Sequence, residues 1–430
     1  MSLTRIGTAN MYDRTINNIA KQQTDLANQM EHASAGKRVL RPSDDPVAAA
    51  QAERARTRLS RIESDQRTLD AQTATIQYGE STLGEINGAL QEFRSLIVNA
   101  GNGAFNQTQR DTLVEQLQSL RSQVLSYTNR KDSNGLPLFR GLDTESSTPF
   151  PDGSQGIQSG QTNASEYTIT NSLDGALAFF SGKTGNGVLA IERSNTSANS
   201  WADIGVIKNP NNALALQDAL NTGLATNPVT IRFDKAADGS TTYTVQGEVV
   251  FNEASNAWEI AADRTATFIS GESIQVQGMN VTITGEPLTL DAEGQIIARD
   301  SYTLNPSQSQ SMFEALDAAI ATVKSYGNLD GTTEHGALAH GLAKSLAELD
   351  TALNRVSTVR GVAGDLLNQA ERMGTTLLAR NEQMESQRSS AEDIDMVAAL
   401  SQLKAQETAV SAALQSYASI QKLSLFNYIN

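Results

Sequence analysis

The chain has 430 residues, enough for two to four domains, and only 39% of them are hydrophobic and 5% aromatic, a mix that suits long helices packed by small side chains better than one thick core. It contains no cysteine, which excludes disulfide frameworks, thiolate metal sites and thiol nucleophiles. The formal charge is −15, and residues 145–300 alone hold 18 acidic against 7 basic side chains, which argues against nucleic acid as a partner.

The first seven residues lack the apolar core of a secretory signal, and no apolar run approaches the ~20 residues needed to span a bilayer, so no membrane insertion is expected. From residue 9 to 33, Tyr12, Ile16, Ile19, Leu26 and Met30 recur at 3-4 spacing, with Gln23 in one seam position. That narrow stripe is a coiled-coil seam rather than a broad globular face. Gly36 should end this helix, and Pro42, Ser43, Asp44, Asp45 and Pro46 form a break in which Asp45 caps a new helix and Pro46 takes its first position. The new helix carries Leu59, Ile62, Leu69, Ile76, Leu83, Ile86, Leu90, Phe93 and Ile97 and should stop at Gly101. A shorter one follows through Leu113, Leu117, Leu120, Val124 and Tyr127.

From about residue 141 to 304 the texture becomes rich in Gly, Ser, Thr and Asn with period-two alternation. Strands are expected at 229–233, 242–251, 265–270 and 273–284, with Asp238-Gly239 as a turn. Beyond Pro306 a helix carries Met312, Phe313, Leu316, Ile320 and Val323, and a long helical region then runs from near Leu338 to Met384. A second break is expected at 386–391, after which Leu400, Leu403, Val410, Leu414 and Tyr417 repeat the narrow stripe, followed by Ile420, Leu423, Leu425, Phe426 and Ile429. The expected fold is α+β: terminal coiled-coil helices (1–40 and 392–430), a long-helix bundle from both chain ends (41–140 and 305–391), and an inserted β-rich outer domain (141–304). Seams this rich in Ala, Gln and Thr hold a two-helix rod weakly, since each buried Leu or Ile contributes only ~1.5–3 kcal/mol against ~1–2 kcal/mol of entropy per ordered residue. The stripes are therefore the expected assembly interface.

No catalytic, cofactor or metal constellation is expected. Ser181-Gly182-Lys183-Thr184 has Leu177 where a phosphate loop needs glycine, so it reads as a turn. His335 and His340 are five apart, where one helical face needs three or four. The acids Asp44-Asp45 and Glu392-Asp393-Asp395 read as helix caps, and Lys37, Arg38 and Arg41 as a solvated basic patch or one side of an inter-subunit ion pair.

The segments Ala35-Gly36-Lys37-Arg38-Val39 and Pro42-Ser43-Asp44-Asp45-Pro46-Val47-Ala48-Ala49, the turn Asn99-Ala100-Gly101-Asn102-Gly103, the stretch Pro306-Ser307-Gln308-Ser309-Gln310-Ser311-Met312-Phe313 and the ending from Gln415 to Ile429 resemble the flagellin-like family of bacterial flagellar axial proteins. The likeness covers both helical arms, about 1–140 and 305–430. It implies an inner coiled coil, a surrounding helical layer and an outer β domain. It also implies a structural adaptor between hook and filament, assembling as a ring between hook-associated protein 1 and flagellin. Export by the flagellar type III apparatus to an extracellular place in the flagellum, with a chaperone guarding the C-terminal helix, is implied likewise. The competing expectations are a flagellin that forms the filament itself, and a secreted enzyme or adhesin whose β domain is the active part.

Overall fold

The computed structural model describes residues 8–102, 105–141, 169–170, 172–194, 199–325 and 335–426. Eight helices follow along these residues: α1 (Thr8–Ala35), α2 (Pro46–Ala100), α3 (Gln107–Thr128), α4 (Gly175–Phe179), α5 (Pro210–Thr222), α6 (Met312–Ser325), α7 (His335–Glu392) and α8 (Met396–Phe426). None of them is long and apolar enough to cross a membrane. Two compact bodies divide the chain, one of residues 1–69 with 371–430 and one of residues 70–370, so α2 and α7 contribute to both.

In the body of residues 70–370, a helical core gathers Leu83, Ile86, Leu90, Phe93 and Ile97 of α2, Leu117 and Val124 of α3, Phe313 and Leu316 of α6, and Leu349 and Val356 of α7, all nearly inaccessible to solvent. Capping boxes set two of the starts: Asn106 and Gln109 close on each other at α3, and Ser311 and Glu314 do so at α6. Pro306, expected just ahead of α6, instead ends the strand Ser301–Pro306. Ion pairs join the helices at their rims, Arg94 to Asp350 at 2.7 Å, Arg360 to Glu80 at 2.6 Å and Arg121 to Asp317 at 2.9 Å.

The β region of this body is antiparallel throughout. A five-stranded sheet has the order Leu189–Arg193, Ser301–Pro306, Val229–Lys235, Thr241–Gln246, Arg264–Thr267. In a second sheet Met279–Glu286 lies between Ser273–Val276 and Asn199–Ala202, and also pairs with Val206–Ile207. Alternate residues such as Val229, Ile231 and Phe233, or Val281 and Ile283, meet Leu216 and Ala219 of α5 in one core.

Two expected strands prove to be divided. The run 242–251 breaks at Gly247 (φ +79°) into Thr241–Gln246 and Val249–Asn252, and the run 273–284 is a hairpin turning on Gln277 (φ +47°) and Gly278 (φ +74°). At Gly278 a Cβ would lie 2.4 Å from the Asn209 carbonyl oxygen, so glycine is required there. The run 265–270 is the shorter strand Arg264–Thr267, while Asp238-Gly239 turns as expected, with Gly239 at φ +87°. Helix α5 was not foreseen, although Asn209 as cap, Pro210 at its first position and Gly223 (φ +76°) beyond its end are its signals. Gly182–Lys183 is a two-residue strand against Ser309–Gln310, and His340 is buried with Nδ1 3.0 Å from the Ala202 carbonyl.

Candidate assembly interface

Within the body of residues 1–69 and 371–430, α1 ends as its sequence dictates. Gly36 adopts φ +68°, its N–H bonds the Ala33 carbonyl, and the Lys37 N–H bonds the His32 carbonyl, closing the helix in a Schellman motif. The break that follows uses its two aspartates differently. Asp44 Oδ2 accepts from the N–H groups of Leu40 and Arg41 at 3.0 and 2.8 Å, which ties the loop. Asp45 Oδ1 accepts from Val47 and Ala48 at 3.1 and 2.9 Å, which caps α2 ahead of Pro46. The Arg41 amide holds the Asp44 carboxyl below the usual range, and the Ala48 amide and Arg38 do so for Asp45. Pro42 and Ser43 are exposed in this turn.

The second break is displaced from its expected place. Residues 386–391 are helical, because α7 continues to Glu392, and the interruption is Asp393-Ile394-Asp395. Asp395 caps α8 through the N–H groups of Val397 and Ala398 at 3.0 and 3.1 Å. Glu392 is no cap. Its carbonyl accepts from the N–H groups of Arg38 and Val39, and the Ile394 N–H returns to the Gly36 carbonyl, so the two chain crossings are stitched side by side. Its carboxylate is buried and binds Lys37, Arg56 Nη2 at 2.5 and 2.6 Å, and Arg388 at 3.6 Å. Burial alone would raise its pKa, but the Lys37 hydrogen bond and the charges of Arg56, Lys37 and Arg388 prevail and lower it. The basic trio is likewise committed within the chain: Lys37 to Glu392, Arg38 to Asp45 and the Ala391 carbonyl, Arg41 to Glu31.

From this stitched point α1 and α8 run antiparallel and pack on each other. The residues they turn inward are not quite the expected set. On α1 they are Thr15, Ile19, Gln22, Leu26, Gln29 and Ala33, and on α8 Ala399, Leu403, Gln406, Val410, Ala413 and Tyr417, each at 4-3 spacing. Ile19, Leu26, Leu403, Val410 and Tyr417 thus face the seam as expected. Ile16 and Met30 stay 48% and 52% exposed, Leu400 and Leu414 54% and 44%. Relative to the expected seam, alternate positions slip by one residue, with Thr15, Gln22 and Gln29 inward in place of Ile16, Gln23 and Met30 and Ala399 and Ala413 in place of Leu400 and Leu414, which leaves the larger apolar groups outside. The Oε1 atoms of Gln22 and Gln29 are buried without a hydrogen-bond partner. Tyr12 belongs to α1 and Ile420, Leu423, Leu425 and Phe426 to α8, but their side chains, and Ile429 altogether, lie outside the described residues. Just ahead of this stripe Met396 and Val397 are exposed too, signalled in the sequence only as the apolar pair that opens α8.

Residues 6–144 match the model of the bacterial flagellin N-terminal helical region and residues 346–429 that of the flagellin C-terminal helical region, together just over half of the chain. Flagellar hook-associated protein 3 of Escherichia coli K12 is 24% identical over 98% of both chains. Its counterpart from Salmonella typhimurium is 34% identical over 42% of this chain, a match that takes in 55% of the Salmonella protein. The crystal structure of flagellar hook associated protein 3 from Legionella pneumophila superposes with a TM-score of 0.61 at 21% identity, covering 79% of this chain and 97% of that one, a likeness of fold. Both terminal helical regions, the inserted antiparallel β domain and these matches agree, and the chain belongs to the flagellin-like family of bacterial flagellar axial proteins.

Proposed function

We propose that this chain is a structural adaptor at the junction between the flagellar hook and the flagellin filament, assembling as a ring through its terminal helices and performing no catalysis. One observation carries the reading: a hairpin of α1 and α8 that belongs to the flagellin-like terminal regions leaves Ile16, Met30, Leu400 and Leu414 in solvent. An axial subunit covers such a face with its neighbours, and a ring of head-to-tail contacts leaves one end for the hook and the other for the filament. The match to a hook-associated protein 3 along almost the whole of both chains supports the junction over the filament as its place.

In this reading the inner coiled coil is 1–40 with 392–430, the helical layer 41–140 with 305–391, and the outward β domain 141–304. Hook-associated protein 1 contacts one face of the ring and flagellin the other. The chain reaches the extracellular flagellum through the flagellar type III apparatus, guarded beforehand by an export chaperone. Deleting the gene tests this directly: the expected cells carry hooks without filaments and shed unpolymerised flagellin. A chain lacking residues 417–430 should fail to incorporate while its β domain stays folded. Normal filaments on either background overturn the adaptor role, and purified protein that elongates seeds into long filaments establishes a flagellin instead.

A further inference from the structure

A second surface of the first body is independent of the apolar stripe. Between the start of α2 and the end of α7 lies a groove of about 610 Å³, lined by Arg54 and Arg58 with Gln51 on one side and by Ser386, Gln387 and Ser390 on the other. These six side chains are hydrogen-bond donors or can serve as donors, and the one carboxylate that also lines the groove, Asp45, is bonded to Arg38 and to the first amides of α2. Among the described residues, Arg54, Arg58 and Arg61 form no ion pair, and all three are exposed along one helical face at spacings of four and three.

Four acids of the same segments are already engaged, while Glu63 and Asp65 of α2 and Glu371 and Glu382 of α7 form no ion pair among the described residues. Asp45 is taken by Arg38 and the α2 cap, Glu53 and Glu392 by Arg56, and Glu385 by Arg388. An unneutralised row of guanidiniums on a chain of net charge −15 is an anomaly that an anionic visitor resolves. Guanidinium forks bind carboxylates in pairs of parallel hydrogen bonds, and serine and glutamine across the groove add neutral donors.

We propose that this groove receives a carboxylate-bearing face of a second copy of the same chain. The assignment rests on the ring reading above, which sets another copy beside each subunit, and on the acidic excess that every copy brings. It adds an electrostatic contact that fixes register between neighbours, distinct from the apolar face that supplies burial.

The chain's lack of cysteine allows a clean test. Gln51→Cys, labelled with benzophenone maleimide and assembled into flagella, is irradiated and the adducts are mapped by mass spectrometry. The expected product is a dimer of this 46.0 kDa chain whose second attachment lies in a peptide bearing Asp or Glu. The pair Arg54→Gln with Arg58→Gln, shown to be folded by circular dichroism, should lose that adduct. A cross-link only to another flagellar protein, no cross-link in flagella that contain the labelled chain, or an adduct unchanged in the arginine variant overturns the proposal. A folded chain absent from flagella altogether overturns the adaptor reading beneath it.

Discussion

The Glu392 carboxylate is the point at which the two chain crossings are held, and replacing it by glutamine isolates the worth of its charge. The side chain retains 4% of its exposure, whereas Lys37 and Arg56 retain 36% and 46%. Removing one partner of a fully buried pair costs about 3–5 kcal/mol, and a fully exposed pair is worth under about 1 kcal/mol. A buried anion with half-solvated cations falls between, and glutamine preserves the shape, so Glu392→Gln should cost about 2–3 kcal/mol at low salt. Hydrogen exchange reads this locally through the amides of Arg38 and Val39, which bond the Glu392 carbonyl, and of Ile394, which bonds that of Gly36. At about 1.4 kcal/mol per factor of ten, their exchange should quicken on the order of 30- to 150-fold while the amides of the five-stranded sheet stay unchanged. Because the folded carboxyl titrates below its unfolded value, this contribution is complete above the unfolded pKa and is lost as the pH falls through the folded one. The variant and the parent should therefore converge in acid. A difference at neutral pH of less than about threefold, or one that persists in acid, would refute the reasoning.

Three further substitutions probe the second body. Glu348 is buried, its Oε1 has no partner, and burial raises its pKa, so its ionisation costs stability that is present below the unfolded carboxylate value and lost as pH rises. Glu348→Gln should then raise the melting temperature at neutral pH by the equivalent of about 1 kcal/mol and give no gain near pH 4, as scanning calorimetry can check. His340 has the opposite sign: burial lowers its pKa, its stabilising contribution is complete above its unfolded value near 6.5 and fades in acid, and His340→Phe should flatten the fall in melting temperature between about pH 6.5 and 5. Gln277 binds the Val249 N–H and carbonyl and the Asn212 carbonyl, so Gln277→Ala should cost about 2–3 kcal/mol in urea unfolding by leaving buried backbone groups unpaired.

The helices were legible because their boundaries are written in residues with a single local meaning. Gly36, Asp45-Pro46 and Gly101 each act within a turn of their own position, Asp45 through its side-chain oxygen, and the structure uses them where the sequence puts them. The stop near residue 390 was misplaced for a converse reason. Ser386, Ser389 and Ser390 are polar and weaker helix formers, but α7 is long and a serine costs it only a few tenths of a kcal/mol, so the helix runs through until the Glu392 contacts and the Asp395 cap redirect it. The bonds from Lys37, Arg38, Val39 and Arg56 to Glu392 join residues more than 330 positions apart, and no window along the chain reveals them. In the β region, Val276 and Met279 pair and face the same side although they stand three positions apart, so the alternation slips by one at Gln277-Gly278, and a reading that passed over the slip took two strands for one.

The candidate interface was legible as a stripe but not as a choice between two stripes. The spacing Tyr12, Ile16, Ile19, Leu26, Met30 describes one seam, and the packed hairpin keeps Ile19 and Leu26 in it but turns Thr15 and Gln29 inward in place of Ile16 and Met30, which are presented sideways. Helix α8 does the same, with Ala399, Gln406 and Ala413 inward beside Leu403 and Val410, and Leu400 and Leu414 outward. Seam alanines such as Ala33, Ala399 and Ala413 let two backbones approach closely but give little apolar area, and the buried Gln22 and Gln29 oxygens subtract from it. Fully burying an Ile, Leu or Met is worth about 1.5–3 kcal/mol, and these four, each about half exposed, hold roughly half of that in reserve. A hairpin that turns its small and polar residues on itself and leaves large apolar ones outside is held weakly by its own contacts, which is the balance that the assembly proposed above requires.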